Sequence, residues 1–96
     1  MKDDILYLKD IRDQCADIIE ETANITYEEF SNRRIYQNGI ILSIIIIGEA
    51  AKQLSEEFKE THPEIPISLL AKTRDKLVHG YRGIDIRTVW QIAVTD

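Results

Sequence analysis

Apolar positions recur near helical spacing at the start of the chain: Ile5, Leu8, Ile11 or Arg12, Cys15, Ile18 and Ile19, with acidic residues on the opposite side. The pattern predicts an amphipathic helix from about Asp4 to Ala23, with Asp3 or Asp4 as its N-cap. Asn24-Ile25-Thr26 ends that helix. Thr26 ahead of Tyr27-Glu28-Glu29 predicts a capping box and a short helical turn that closes near Ser31 or Asn32.

The next region carries conflicting signals. Gly39-Ile40-Ile41-Leu42-Ser43-Ile44-Ile45-Ile46-Ile47-Gly48 is rich in β-branched residues, which favour strand. Its continuation, Glu49 to Glu60, favours helix. No flanking segment offers a partner strand, and a helix that is apolar all round suits a position buried among several neighbours. One long central helix from about Arg34 to Glu60 is therefore expected. The isoleucine run itself is too short to span a bilayer. Its excess apolar surface fits either a monomer core or contact with a second chain.

Thr61-His62-Pro63-Glu64-Ile65-Pro66 predicts a turn, because two prolines within four residues interrupt a helix. His62 is expected in a solvated loop. A third helix opens at Ile67 or Ser68, turning Leu69, Leu70, Thr73, Leu77 and Val78 toward the core. Gly80 is expected as a left-handed cap. Asp85 then caps a fourth helix carrying Ile86, Val89, Trp90 and Ala93. The resulting expectation is all-α: an up-and-down bundle of four main helices with a short extra turn, as a single domain over residues 1–96.

Composition agrees with a soluble globular chain: 96 residues, 44% apolar and 30% charged. The net charge of −5 argues against indiscriminate nucleic-acid binding over the whole surface. The charge is unevenly spread. Lys2 to Glu29 holds nine acidic and three basic residues, whereas Lys72 to Arg87 holds five basic and two acidic ones. The second stretch is locally positive and suits a phosphate-bearing ligand. Cys15 is the single cysteine, so no internal disulfide forms, and its spacing places it in the core. His62 and His79 lie in different segments and make no metal-ligand cluster. With no apolar signal region at the N-terminus, these features suit a reducing cytoplasm.

The candidate chemistry lies in Arg74-Asp75-Lys76-Leu77-Val78-His79-Gly80-Tyr81. An arginine suits a phosphate, an imidazole transfers protons near neutral pH, and a phenol offers a modifiable hydroxyl. On spacing alone the blander reading comes first: solvated cations, a histidine favourably placed at a helix C-terminus and a tyrosine packing by its ring. Residues five apart on an ideal helix are separated by roughly 140°, so Arg74 and His79 do not stack. They meet only if Arg74 curls round, if the helix unwinds before Gly80, or if two copies share a cleft. RNA cleavage by internal transfer needs a base for the 2′-OH and an acid for the 5′-oxygen, and one histidine cannot easily serve both. Two copies could, with Arg74 on the nonbridging phosphate oxygens and no metal or other cofactor needed. Lys76 and Arg82 are candidate RNA phosphate contacts, or simply solvated charges.

The chain resembles the HepT-like branch of the HEPN superfamily, small helical toxins paired with minimal nucleotidyltransferase antitoxins. The residues that carry the resemblance are Asp4-Ile5-Leu6-Tyr7-Leu8-Lys9-Asp10-Ile11, Thr26-Tyr27-Glu28-Glu29-Phe30 and Ile47-Gly48-Glu49-Ala50-Ala51-Lys52-Gln53-Leu54. His62-Pro63-Glu64-Ile65-Pro66, the Arg74-to-Tyr81 motif and Val89-Trp90 complete it. The resemblance implies a HEPN-like helical domain that dimerises and cleaves RNA without metal. It implies Arg74 and His79 as the catalytic pair, Asp75 as the supporting polar residue, and Tyr81 as the tyrosine that the antitoxin modifies with AMP. The alternative is a non-catalytic nucleotide- or partner-binding module associated with a nucleotidyltransferase. Two departures stand out. Asn38-Gly39-Ile40-Ile41-Leu42-Ser43 replaces a more polar family pattern, and the fourth helix is short.

Overall fold

Six helices follow one another among the residues described by the computed structural model, 2–80 and 83–95. They are α1 (Lys2–Asn24), α2 (Tyr27–Asn32), α3 (Arg34–Gln53), α4 (Glu56–Thr61), α5 (Ile67–His79) and α6 (Ile86–Thr95). The fold is an all-α bundle, in which α3 is the central element packed between α1 and α5.

The capping box forms as the sequence predicts. The Glu29 N–H donates to Thr26 Oγ1 at 3.1 Å and the Thr26 N–H donates to Glu29 Oε1 at 3.0 Å, which satisfies two donors at the start of α2. Phe30 of that short helix is fully buried beneath Trp90, ring centroids 5.1 Å apart, and Tyr27 meets the same indole edge-on at 5.9 Å. The main core joins Ile18, Phe30, Ile40, Ile44, Ile47, Leu77, Val89 and Ala93. Burial of each large side chain there stabilises the fold by about 1.5–3 kcal/mol. A second cluster, Ala51, Leu54 and Ile67, closes the other end of α3.

The expected long central helix is instead two. Leu54 and Ser55 are extended (ψ 146° and 155°), which breaks the chain between α3 and α4. Side-chain chemistry holds the break open. Ser55 Oγ accepts from the Phe58 N–H at 3.1 Å and so caps α4. The Ser55 N–H and hydroxyl donate to Asp4 Oδ1 and Oδ2 at 2.8 and 2.7 Å. Asp4 is therefore no N-cap. It lies inside α1, is buried, and fastens that helix to the α3–α4 junction. These two bonds from Ser55, side chain first, hold the Asp4 carboxyl below its ordinary range.

Four further expectations change. His62 is half-buried and stacks on Phe58, ring centroids 4.3 Å apart, with Nδ1 3.0 Å from Thr61 Oγ1. Ile5, Ile19, Leu69 and Val78 face solvent, because they lie at the edges of the expected apolar stripes, whose centres at Ile11, Ile18, Leu70 and Leu77 pack inward. Gly80 has φ −123°, so α5 ends without a left-handed residue; its N–H donates to Lys76 O at 2.9 Å. Cys15 is half-buried against the core rather than inside it. Finally, α3 as a whole is long and apolar enough to cross a membrane by length and composition alone. Ile40, Ile44, Ile47 and Ala51 of this helix are buried inside the bundle, whereas Ile35 and Leu42 are exposed, and a third of the apolar window is buried.

Candidate active site at the seam of α3 and α5

The seam is narrow because α3 has a glycine at the crossing. A Cβ placed on Gly48 would collide with Cβ of Arg74 and lie 2.7 Å from the Leu70 carbonyl oxygen. Only a residue without a side chain lets the two backbones approach this closely. The approach brings one turn of α3, Glu49 and Lys52, against Arg74 and Asp75 of α5.

Four charged groups meet there. Arg74 Nε lies 2.8 Å from Glu49 Oε2, and both atoms are shielded from water. The contact lacks the alignment of a hydrogen bond, so charge rather than a directed N–H holds the pair. On the other side, Arg74 Nη1 donates to Asp75 Oδ1 at 2.9 Å. Lys52 Nζ donates to the same oxygen at 3.2 Å. The Arg74 hydrogen bond first, and then that of Lys52, hold the Asp75 carboxyl below its ordinary range. The Arg74 side chain keeps only 22% exposure. It is not a freely solvated cation, and Asp75, its neighbour in sequence, accepts one of its hydrogen bonds.

His79 is placed differently. α5 remains helical through it, and its side chain is exposed at the helix end. Arg74 turns toward α3 instead of curling toward His79, and no hydrogen bond among the described residues joins the two. Within one protomer, two of the three routes to convergence are thus closed: the helix does not unwind early, and the arginine does not bend round. Lys76 is exposed and borders a cavity of about 210 Å³ between α5 and α6, floored by Leu77, Val89 and Ile92. Tyr81 and Arg82 lie outside the described residues. Asp85 opens α6, accepting from the Arg87 N–H at 2.9 Å and from the Thr88 hydroxyl at 3.3 Å.

Sequence reasoning did not single out Glu49 or Lys52 as partners of the motif. A signal was present: a carboxylate directly after a glycine, three residues before a lysine, ends an otherwise apolar run. No group of three or more potential metal-ligating side chains occurs among the described residues.

Comparison with known proteins places this geometry in a family. The model of the family described as "Ribonuclease HepT-like" matches residues 11–96. A Thermococcus cleftensis protein named "Probable ribonuclease HepT" is 41% identical over 90 residues, covering 94% of this chain and 82% of the relative. Two relatives from Methanocaldococcus jannaschii carry provisional RNase names. Both are 41% identical over 87 residues and cover 91% of this chain, with 72% and 75% of their own lengths matched. No solved structure matches. With the family model spanning α1 to α6 and the relatives aligned over nearly the whole chain, the protein belongs to the HepT-like ribonuclease family.

Proposed function

We propose that the protein is a metal-independent endoribonuclease of a HEPN/MNT toxin–antitoxin pair, and that its site is completed when two copies come together. The observation that carries this reading is the Arg74 guanidinium, held from both sides at the α3–α5 seam with His79 exposed one helical turn beyond. One His79 removes the proton from a ribose 2′-OH, and the 2′-oxygen attacks phosphorus. The P–O5′ bond breaks, and the second copy's imidazole protonates the departing 5′-oxygen. Arg74 neutralises charge on the nonbridging oxygens as it builds. The products are a 2′,3′-cyclic phosphate and a free 5′-hydroxyl.

Apolar surface supports the pairing. Ile35 (71% exposed) and Leu42 (57%) share an outward face of α3 with Gly39 and the half-buried Ile46, and the same helical spacing continues to Glu49. A second copy seated on that face would cover this stripe and bring two motif helices near one another. Lys76, and by expectation Arg82, would contact RNA phosphates. Addition of AMP to Tyr81 by a partner nucleotidyltransferase would place negative charge and bulk beside a phosphate site, which is how that partner would silence it.

The arginine's two carboxylate neighbours also favour a second reading, in which Arg74 is only a tie between α3 and α5 and the chain is a non-catalytic nucleotide- or partner-binding module. One experiment separates the two. Purified wild type and His79→Ala are incubated with RNA in EDTA. Cleavage by wild type alone, with equal helical circular dichroism, is expected. Intact RNA in both samples, together with measurable nucleotide binding, would favour the module. Sedimentation at micromolar concentration is expected to give a dimer, and a monomer would remove the shared-cleft mechanism.

A further inference from the structure

We infer that Glu49 is a positioning residue for Arg74, and that Gly48 and Glu49 act together to aim the guanidinium at the phosphate. The inference rests on the ribonuclease reading above, and it assigns a role to α3 that the motif on α5 does not contain.

The argument begins with donor accounting. A guanidinium carries five N–H groups in a fixed plane. Across the seam Nε faces Glu49 Oε2 at 2.8 Å as an ion-pair contact without hydrogen-bond alignment, and one Nη1 donor is taken by Asp75 on the same helix. Nη2 has no hydrogen bond among the described residues, so the end of the fork is what remains for an anion. The two carboxylates restrain the plane from different helices. Asp75, adjacent in sequence, moves whenever α5 moves. Glu49 belongs to the central helix, whose Ile40, Ile44, Ile47 and Ala51 are buried, and is the fixed reference. Gly48 sets the distance between the helices, since any Cβ there would displace the stem of Arg74. Lys52 keeps the cluster balanced: two cations face two carboxylates, so the arginine is oriented without a net negative field at the position where phosphate would sit.

The pair is also of the kind that positions rather than merely stabilises. Oε2 and Nε are shielded from water, while the Glu49 side chain as a whole remains 46% exposed. A partly open ion pair adds little to stability. Rotating the guanidinium by a fraction of an ångström, however, misplaces charge stabilisation in the transition state, at a cost of about 10- to 100-fold in rate.

The test is a double-mutant cycle on RNA cleavage. Glu49→Gln keeps size and removes charge. Its kcat is expected to fall roughly 10- to 100-fold, with a smaller change in KM, while Glu49→Asp restores part of the rate. Because Glu49 acts through Arg74, the double variant Glu49→Gln/Arg74→Ala should be no slower than Arg74→Ala alone. A wild-type rate for Glu49→Gln, or losses that multiply in the double variant, would overturn the assignment. A second readout does not depend on activity. The Arg74 Nε–H resonance in nitrogen-15 spectra should exchange slowly with water in wild type and rapidly in Glu49→Gln. If wild type fails to cut RNA but that exchange difference appears, the nuclease reading falls and the Glu49 restraint on Arg74 stands. Equal exchange in the two proteins would remove the restraint itself.

Discussion

Two junctions in this bundle are anchored by carboxylates, and they are built to different ends. At the first, Asp4 reaches from α1 to the α3–α4 break and spends its two oxygens on the N–H and hydroxyl of Ser55. The two Ser55 groups are neutral, the carboxylate is buried, and the contact ends in a helix cap. At the second, Glu49 and Asp75 enclose Arg74, and Lys52 shares one of the oxygens. Here the partners are charged and half open, and a guanidinium edge is left over. The first junction saturates its polar groups and fixes chain direction. The second leaves a guanidinium edge without a hydrogen bond among the described residues. On the proposed ribonuclease reading, a carboxylate contact serves function only where the group it holds still has bonds to give.

The comparison is broken most directly at the second junction. Arg74→Ala and His79→Ala are each expected to reduce RNA cleavage by about 10²- to 10⁴-fold while helical circular dichroism persists. For the exposed His79, stability should change by no more than about 0.5 kcal/mol. Undiminished cleavage by either variant would show that the seam is only another anchor. Next in size is the seam's geometry. Gly48→Val should destabilise by about 1–3 kcal/mol in urea unfolding, since the new side chain meets a backbone carbonyl and the Arg74 stem. Gly39 is the control on the same helix: nothing lies within 4 Å of a Cβ there. Gly39→Ala should stabilise by about 0.5–1 kcal/mol. Opposite signs at the two glycines sharpen the contrast, and equal signs would deny the close crossing.

At the first junction the readout is pH. The Asp4 carboxyl is held below its ordinary range, so its contribution is fully present above the unfolded value of about 3.9 and is lost as pH falls through the folded one. Asp4→Asn should therefore be less stable than wild type at neutral pH, and the gap should close in acid below about pH 4. A gap that stays constant across that range would remove the carboxylate from the account. The smallest effect belongs to Lys52→Ala. Its pair with Asp75 is largely exposed (37% and 48%), and the loss should stay under about 1 kcal/mol and shrink further in high salt.

The legibility of the chain follows the range of each interaction. The α2 capping box and the end of α5 at the motif depend on residues a few positions apart, and both could be read directly. The expected continuous helix from Arg34 to Glu60 failed at Ser55 because its breaker lies 51 positions away in Asp4. Leu69 and Val78 were assigned inward on spacing that only the docking of α5 onto α3 could test. His62 reads as a loop residue, but its packing on Phe58 depends on the turn that brings the rings together. Within the site, Arg74, Asp75 and His79 stand out because the motif is contiguous. Glu49 does not, being 25 positions from its partner and set in an apolar helix.

By itself, then, the amino-acid sequence determined the helical class, the α2 capping box, the positive stretch around Arg74 and the family. These rest on local backbone preference, charge and motif order, which need no partner across the molecule. The tertiary structure alone decided where the central helix breaks, which edge residues of the α1 and α5 stripes stay exposed, and that the motif arginine is gripped from α3. Each of those depends on a glycine, a carboxylate and a neighbouring helix arriving at the same place, a coincidence that sequence spacing does not encode.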